Sequence, residues 1–193
     1  MNSQKDKNFL KKYISDITYL LKQKKKYIPQ ILDLRDTIIK TKINNKKVIF
    51  IGNGGSAATA SHASVDFTKN AKIKSINFNE SDLITCFSND YGYRNWVKEA
   101  LKFYAEKGDL LVIFSCSGKS QNLTNAAKYA KKNNIELVTF TGFDFNNPLK
   151  KYNKDGINFF VKSKSYNQVE IIHHFLILLT IDFCIGNKVY PSK

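Results

Sequence analysis

Apolar positions along this chain follow two periods. From Phe9 to Ile39 they recur near helical spacing, with Leu10, Tyr13, Ile14, Ile17, Leu20 and Leu21 in phase, which predicts a long N-terminal helix that Pro29 bends or splits. Val48-Ile49-Phe50-Ile51 is instead a short continuous apolar run, the mark of a buried strand. A turn at Gly52–Ser56 and a helix over Ala57–Lys69 follow. The alternation then repeats. Strands are predicted at Leu83–Phe87, Leu110–Ser115, Glu136–Thr141 and Ile157–Val161. Helices are predicted at Tyr91–Ala105, Gln121–Lys132 and Asn167–Ile185, with a short turn or helix at Pro148–Tyr152. Strands alternating with helices imply an α/β fold: a three-layer sandwich around a five-stranded parallel sheet, preceded by the long helix. No repeat or linker divides residues 1–193, so one domain is expected. It has a helical region at 1–45, an αβα core at 46–186 and a polar tail from Asn187 to Lys193.

Composition narrows the class. A chain of 193 residues that is 42% hydrophobic and 24% charged suits one soluble globular domain with a core that needs no disulfides. No apolar run approaches the roughly 20 residues of a membrane span, and the charged stretch Met1–Lys12 does not resemble a secretory signal. Cys86, Cys116 and Cys184 are odd in number and lack metal-ligand spacing, which points to a reducing, cytoplasmic setting. The formal net charge of +15, from 31 basic and 16 acidic residues, would suit a nucleic-acid partner. However, the basic residues are dispersed lysines; arginine, the base-reading residue, occurs only at Arg35 and Arg94. The charge is therefore read as a lysine-rich surface that draws in anionic substrates, with neither nucleic acid nor membrane as partner.

In parallel sheets ligands sit beyond the carboxyl ends of the strands, so the chemistry belongs to the loops there. The first is Gly52-Asn53-Gly54-Gly55-Ser56, glycine-rich and opening onto a helix whose free N–H groups suit an anion. It lacks the Gly-Lys-Ser/Thr ending of a nucleotide phosphate loop. The second is Ser115-Cys116-Ser117-Gly118-Lys119-Ser120. A helix cap explains one hydroxyl, not three, so Ser115, Ser117 and Ser120 are predicted to cradle a phosphate. In the third, Ser88-Asn89-Asp90, Asp90 either caps the next helix or pairs with Asn89 on sugar hydroxyls.

Taken in order, Gly-Asn-Gly-Gly-Ser-Ala-Ala, His62 and Asp66 on the next helix, Ser-Asn-Asp, and Ser-x-Ser-Gly-x-Ser resemble the sugar isomerase (SIS) domain family of sedoheptulose 7-phosphate isomerases, also called phosphoheptose isomerases. The resemblance spans nearly the whole chain and implies a flavodoxin-like SIS fold. It also implies a homotetramer with sites between subunits, often with zinc, that makes the heptose precursor of surface polysaccharide. Ser56, Ser115, Ser117 and Ser120 would hold the phosphate, beside Gly54 and Gly55, while Asn53, Asn89 and Asp90 would touch the sugar.

The sequence also departs from the family. Where the family usually carries Glu, Asp66 is shorter by a methylene. In the last helix the family commonly carries Gln and, eight residues later, a catalytic His; eight after Gln168 is Leu176, and counting back from Asp182 puts that His near Leu178 and the Gln near Glu170. It is absent either way, so the chain looks like a divergent branch. Aldose–ketose isomerisation needs an acid and a base beside adjacent carbons. Glu170 shares a helix face with His173 or with His174, and of these His173 is preferred. The catalytic set expected is Asp66, Glu170 and His173, with His62, Asp66, Glu170 and His173 as the zinc ligands the resemblance suggests. A non-catalytic phosphosugar-binding or replication-initiator-binding member of the family is the alternative.

Overall fold

The computed structural model describes residues 3–189, so part of the expected polar tail, residues 190–193, lies outside the described residues. Five strands form one parallel sheet: β1 (Val48–Ile51), β2 (Ser75–Asn77), β3 (Leu110–Ser115), β4 (Glu136–Gly142) and β5 (Asn158–Val161), in spatial order β2-β1-β3-β4-β5. The central strands β1 and β3 are buried along their whole length because both faces are covered. Against one face pack α2 (Lys24–Ile43), α3 (Gly55–Lys69) and α8 (Tyr166–Ile185), joining Phe50, Phe67, Phe114 and Phe140 in one core. Against the other pack α4 (Ser81–Tyr91), α5 (Trp96–Tyr104) and α6 (Gln121–Lys132), around Ile49, Ile113 and Trp96. The short α7 (Pro148–Tyr152) links β4 to β5.

Two expectations need correction. The N-terminal helix does divide, but at residues 22–23, between α1 (Ser3–Leu21) and α2; Pro29 sits inside α2. There the proline costs one backbone bond near the helix start, on a side where Lys25 and Pro29 are exposed to water. The second correction is that Leu83–Phe87 is not a strand. It forms the middle of α4, an amphipathic helix with no fully buried residue, whose Leu83, Ile84 and Phe87 lean on the core. The fifth strand is β2, with a sequence of only Ser-Ile-Asn. Asn89 and Asp90 thus lie in the last turn of a helix, not in a strand-end loop.

At the other edge of the sheet, the outward carbonyls of β5 are taken by side chains of α2. Lys26 Nζ donates to Phe160 O, and Gln30 Nε2 donates to Asn158 O at 2.6 Å. These bonds occupy edge groups that would otherwise be open to another strand. Helix α8 has the length and mean hydropathy (1.6) of a membrane span. In this fold it is a core helix, with Val169, Ile172, Leu176, Ile177 and Ile181 packed inside. Its outer side keeps an exposed stripe of Ile171, Phe175, Leu179 and Phe183.

Candidate functional site

A cavity of about 340 Å³ opens where β1 and β3 end. The turn after β1 reaches it through Gly54, whose φ of +56° is a left-handed conformation that favours glycine. Gly55 follows as the first residue of α3, and a Cβ there would stand 2.7 Å from Glu170 Cδ, so only glycine lets α8 bring its carboxylate this close. Asn53 is fixed by a reciprocal amide pair with buried Asn122, at 3.1 and 2.9 Å, which ties the β1 turn to α6.

The serines are arranged to donate. Ser115 Oγ accepts from Gly118 N and Ser117 Oγ accepts from Lys119 N, both at 3.2 Å, which leaves each hydroxyl hydrogen free for an anion. Ser120 stands at the N-cap of α6 yet makes no side-chain cap bond, so its hydroxyl is also free. Ser56, nearly buried, comes from the first turn of α3. Two helices therefore present their positive ends to one cavity beside these four hydroxyls. Among the described residues no lysine or arginine lines it.

Of the residues expected at the site, Asn53, Gly54, Gly55, Ser56, Ser115, Ser117, Ser120 and Glu170 line this cavity together. Asn89 and Asp90 do not. They are exposed on α4, where Asn89 Nδ2 donates to Asp90 Oδ1, a consequence of the segment being helix. Sequence alone did not single out Asn122 and Leu123, just after the serine loop, or Tyr166, the first residue of α8, because none of them carries a recognisable chemical pattern. Cys116 also lines the cavity. Burial, reinforced by the Glu170 carboxylate, pushes its thiol up to about 11, so it stays protonated.

The histidine expectation is corrected. His173 is 1% exposed and turned into the core, its Nε2 3.1 Å from Thr141 O and its ring edge-on to Phe140. Burial holds it down at about 4, so it is a neutral packed ring. Its neighbour His174 faces the other way, 2.9 Å from His62, on the seam between α3 and α8. His62 is paired in turn with Asp66 at 3.2 Å. The zinc set His62, Asp66, Glu170 and His173 does not converge in this chain. Asp66 and His174 occupy both nitrogens of His62, Glu170 packs on Gly55, and His173 points away. Among the described residues no group of three or more His, Cys, Asp or Glu is placed to hold a metal. The residues present do not fit that ion, and no step below passes through it.

Comparison with known proteins agrees with the geometry. The sequence profile of the SIS domain matches residues 12–142, a segment that holds every loop of the cavity but ends before α8. A phosphoheptose isomerase of Clostridium acetobutylicum is 34% identical over 125 residues, covering 61% of this chain and 63% of that protein. One from Buchnera aphidicola subsp. Acyrthosiphon pisum is 30% identical over 166 residues, covering 80% and 84%. A solved phosphoheptose isomerase from Neisseria gonorrhoeae shares the fold with a TM-score of 0.84, over 93% of this chain and 98% of that one, at 23% identity.

Proposed function

This chain belongs to the SIS-domain phosphoheptose isomerase family, and on that footing we propose that it interconverts a ketose phosphate and an aldose phosphate. The pair is sedoheptulose 7-phosphate and D-glycero-D-manno-heptose 7-phosphate, feeding heptose into surface polysaccharide. The observation that carries this reading is a carboxylate, Glu170, inside the same cavity as four serine hydroxyls and two helix N-termini. Hydroxyls and helix ends suit a phosphate. They do nothing for isomerisation, which shifts a proton between C1 and C2 and exchanges protons on O1 and O2. A carboxylate at hydrogen-bond range of those oxygens supplies that exchange. Because Glu170 would repel a phosphate, the substrate lies with its anionic end on the serines and its carbonyl end toward α8.

The exposed stripe on α8, with Phe9, Leu10 and Ile14 exposed on α1, supports a homotetramer with sites near its contacts. The free cysteines are consistent with a cytoplasmic setting. A second reading is favoured by Leu176 and Leu178, the two positions where the family histidine would fall. It holds that the protein binds phosphosugar without turnover, as a sensor or a replication-initiator partner.

One experiment separates the two. The protein is incubated with sedoheptulose 7-phosphate in heavy water, and exchange at C1 and the appearance of aldose are followed by proton NMR. Turnover supports the isomerase; binding without exchange or product supports the second reading. Glu170→Gln is expected to lower kcat by about 10²-fold or more. Ser117→Ala and Ser120→Ala are expected to raise KM about tenfold each, the worth of one lost hydrogen bond, without lowering Tm.

A further inference from the structure

Beyond the cavity, the α3–α8 seam continues into a chain of three side chains that the phosphate cradle does not use. Asp66 Oδ2 lies 3.2 Å from His62 Nε2. His62 Nδ1 lies 2.9 Å from His174 Nε2, the two rings meeting edge to face with centroids 5.0 Å apart. The proton positions follow from what each group can do. An ionised Asp66 only accepts, so His62 carries its hydrogen on Nε2. The Nδ1 of a neutral His62 then accepts, so His174 donates from Nε2. Nδ1 of His174 is left with a lone pair.

We propose that His174 is the base that moves the carbon-bound proton of the substrate, with His62 and Asp66 as its positioning residues. This rests on the isomerase reading above and assigns its missing partner. Glu170 and His174 are four apart on α8, so they share one face with about 6 Å between them. An open-chain sugar phosphate held at the serines therefore passes Glu170 and presents its carbonyl end to His174.

The step balances within these groups. His174 Nδ1 takes the proton from C1, and the C–H pair becomes the C1=C2 bond. The carbonyl pair moves to O2, and the Glu170 carboxylate takes the proton of O1–H and hands it to O2. The O1 pair then forms the C1=O bond, and the C1=C2 pair takes the proton back from His174 at C2, which leaves both groups as they began. While His174 is an imidazolium, Asp66 stabilises its charge through His62, as a buried carboxylate does in a catalytic triad.

The test uses the full chain and sedoheptulose 7-phosphate. His174→Ala is expected to lower kcat about 10²-fold or more, with KM within threefold and Tm unchanged. Added imidazole is expected to restore part of that rate, which a merely structural role would not allow. Asp66→Ala is expected to lower kcat about tenfold, and the two losses are expected to be non-additive when combined. Turnover by His174→Ala within threefold of the parent overturns the assignment. So does a loss that imidazole leaves untouched, or one that simply adds to that of Asp66→Ala. Should His174→Ala misfold, His174→Asn is read by the same criteria. An inactive parent protein would sink the isomerase reading itself, whereas an active parent indifferent to His174 sinks only this inference.

Discussion

Gly55→Ala separates the fold from the chemistry of this site. A Cβ at position 55 would stand 2.7 Å from Glu170 Cδ, and ordinary contact begins near 3.4 Å. The carboxyl group must withdraw by most of an ångström, with both of its oxygens. The fold tolerates this. Position 55 is the first residue of α3 and has no positive φ, so alanine is sterically allowed and favours the helix by about 0.5–1 kcal/mol. Turning Glu170 off its rotamer costs about the same, 0.5–1.5 kcal/mol, so the stability change should be near zero. Catalysis has no such compensation. A reacting group misplaced by about 1 Å costs on the order of 10²-fold, about 2.7 kcal/mol of barrier. The expected result is a Tm close to the parent's with kcat lowered about a hundredfold, read by thermal melts and by NMR progress curves on sedoheptulose 7-phosphate. Parental kcat with an unchanged Tm would refute the claim that the Gly55–Glu170 approach places the carboxylate for reaction.

Two further outcomes test the scaffold. His173 sits at about 4 in the fold against an ordinary 6.5, so the unfolded chain binds the extra proton first. Its contribution to stability is complete above about pH 6.5 and falls away as pH drops toward 4, by up to about 3 kcal/mol. Urea melts at pH 7.5 and 4.5 should show His173→Leu losing less stability on acidification than the parent, and equal losses would contradict this burial. At the sheet edge, Lys26→Ala with Gln30→Ala frees the Phe160 and Asn158 carbonyls. It should cost about 1–3 kcal/mol and raise light scattering on warming, as an uncovered edge invites strand pairing; a parental melt with no scattering counts against the edge-covering role.

That the glycine and serine loops line one cavity was legible because each loop is local. Gly-Asn-Gly-Gly-Ser and Ser-Cys-Ser-Gly-Lys-Ser are contiguous, and each follows an apolar run that is buried in the sheet. Strands β1, β3, β4 and β5 were legible for the same reason. By contrast, β2 is a three-residue edge strand with no apolar run, while Leu-Ile-Thr-Cys-Phe satisfies a strand pattern and folds as α4. A short apolar run does not carry enough period to choose between the two.

Sequence by itself determined the positions of β1, β3, β4 and β5 with the helices α3, α6 and α8 that follow three of them, and the hydroxyls and glycines after β1 and β3, since those depend on neighbours along the chain. Only the tertiary structure decided between His173 and His174. They are adjacent residues, and a helix turns about 100° per residue, so they cannot share a direction. The face that meets β4 becomes core and takes His173 with it, while the face along α3 keeps His174 beside His62. That choice depends on how α8 is rotated against the sheet and α3, through contacts to residues 32 and 112 positions away along the chain.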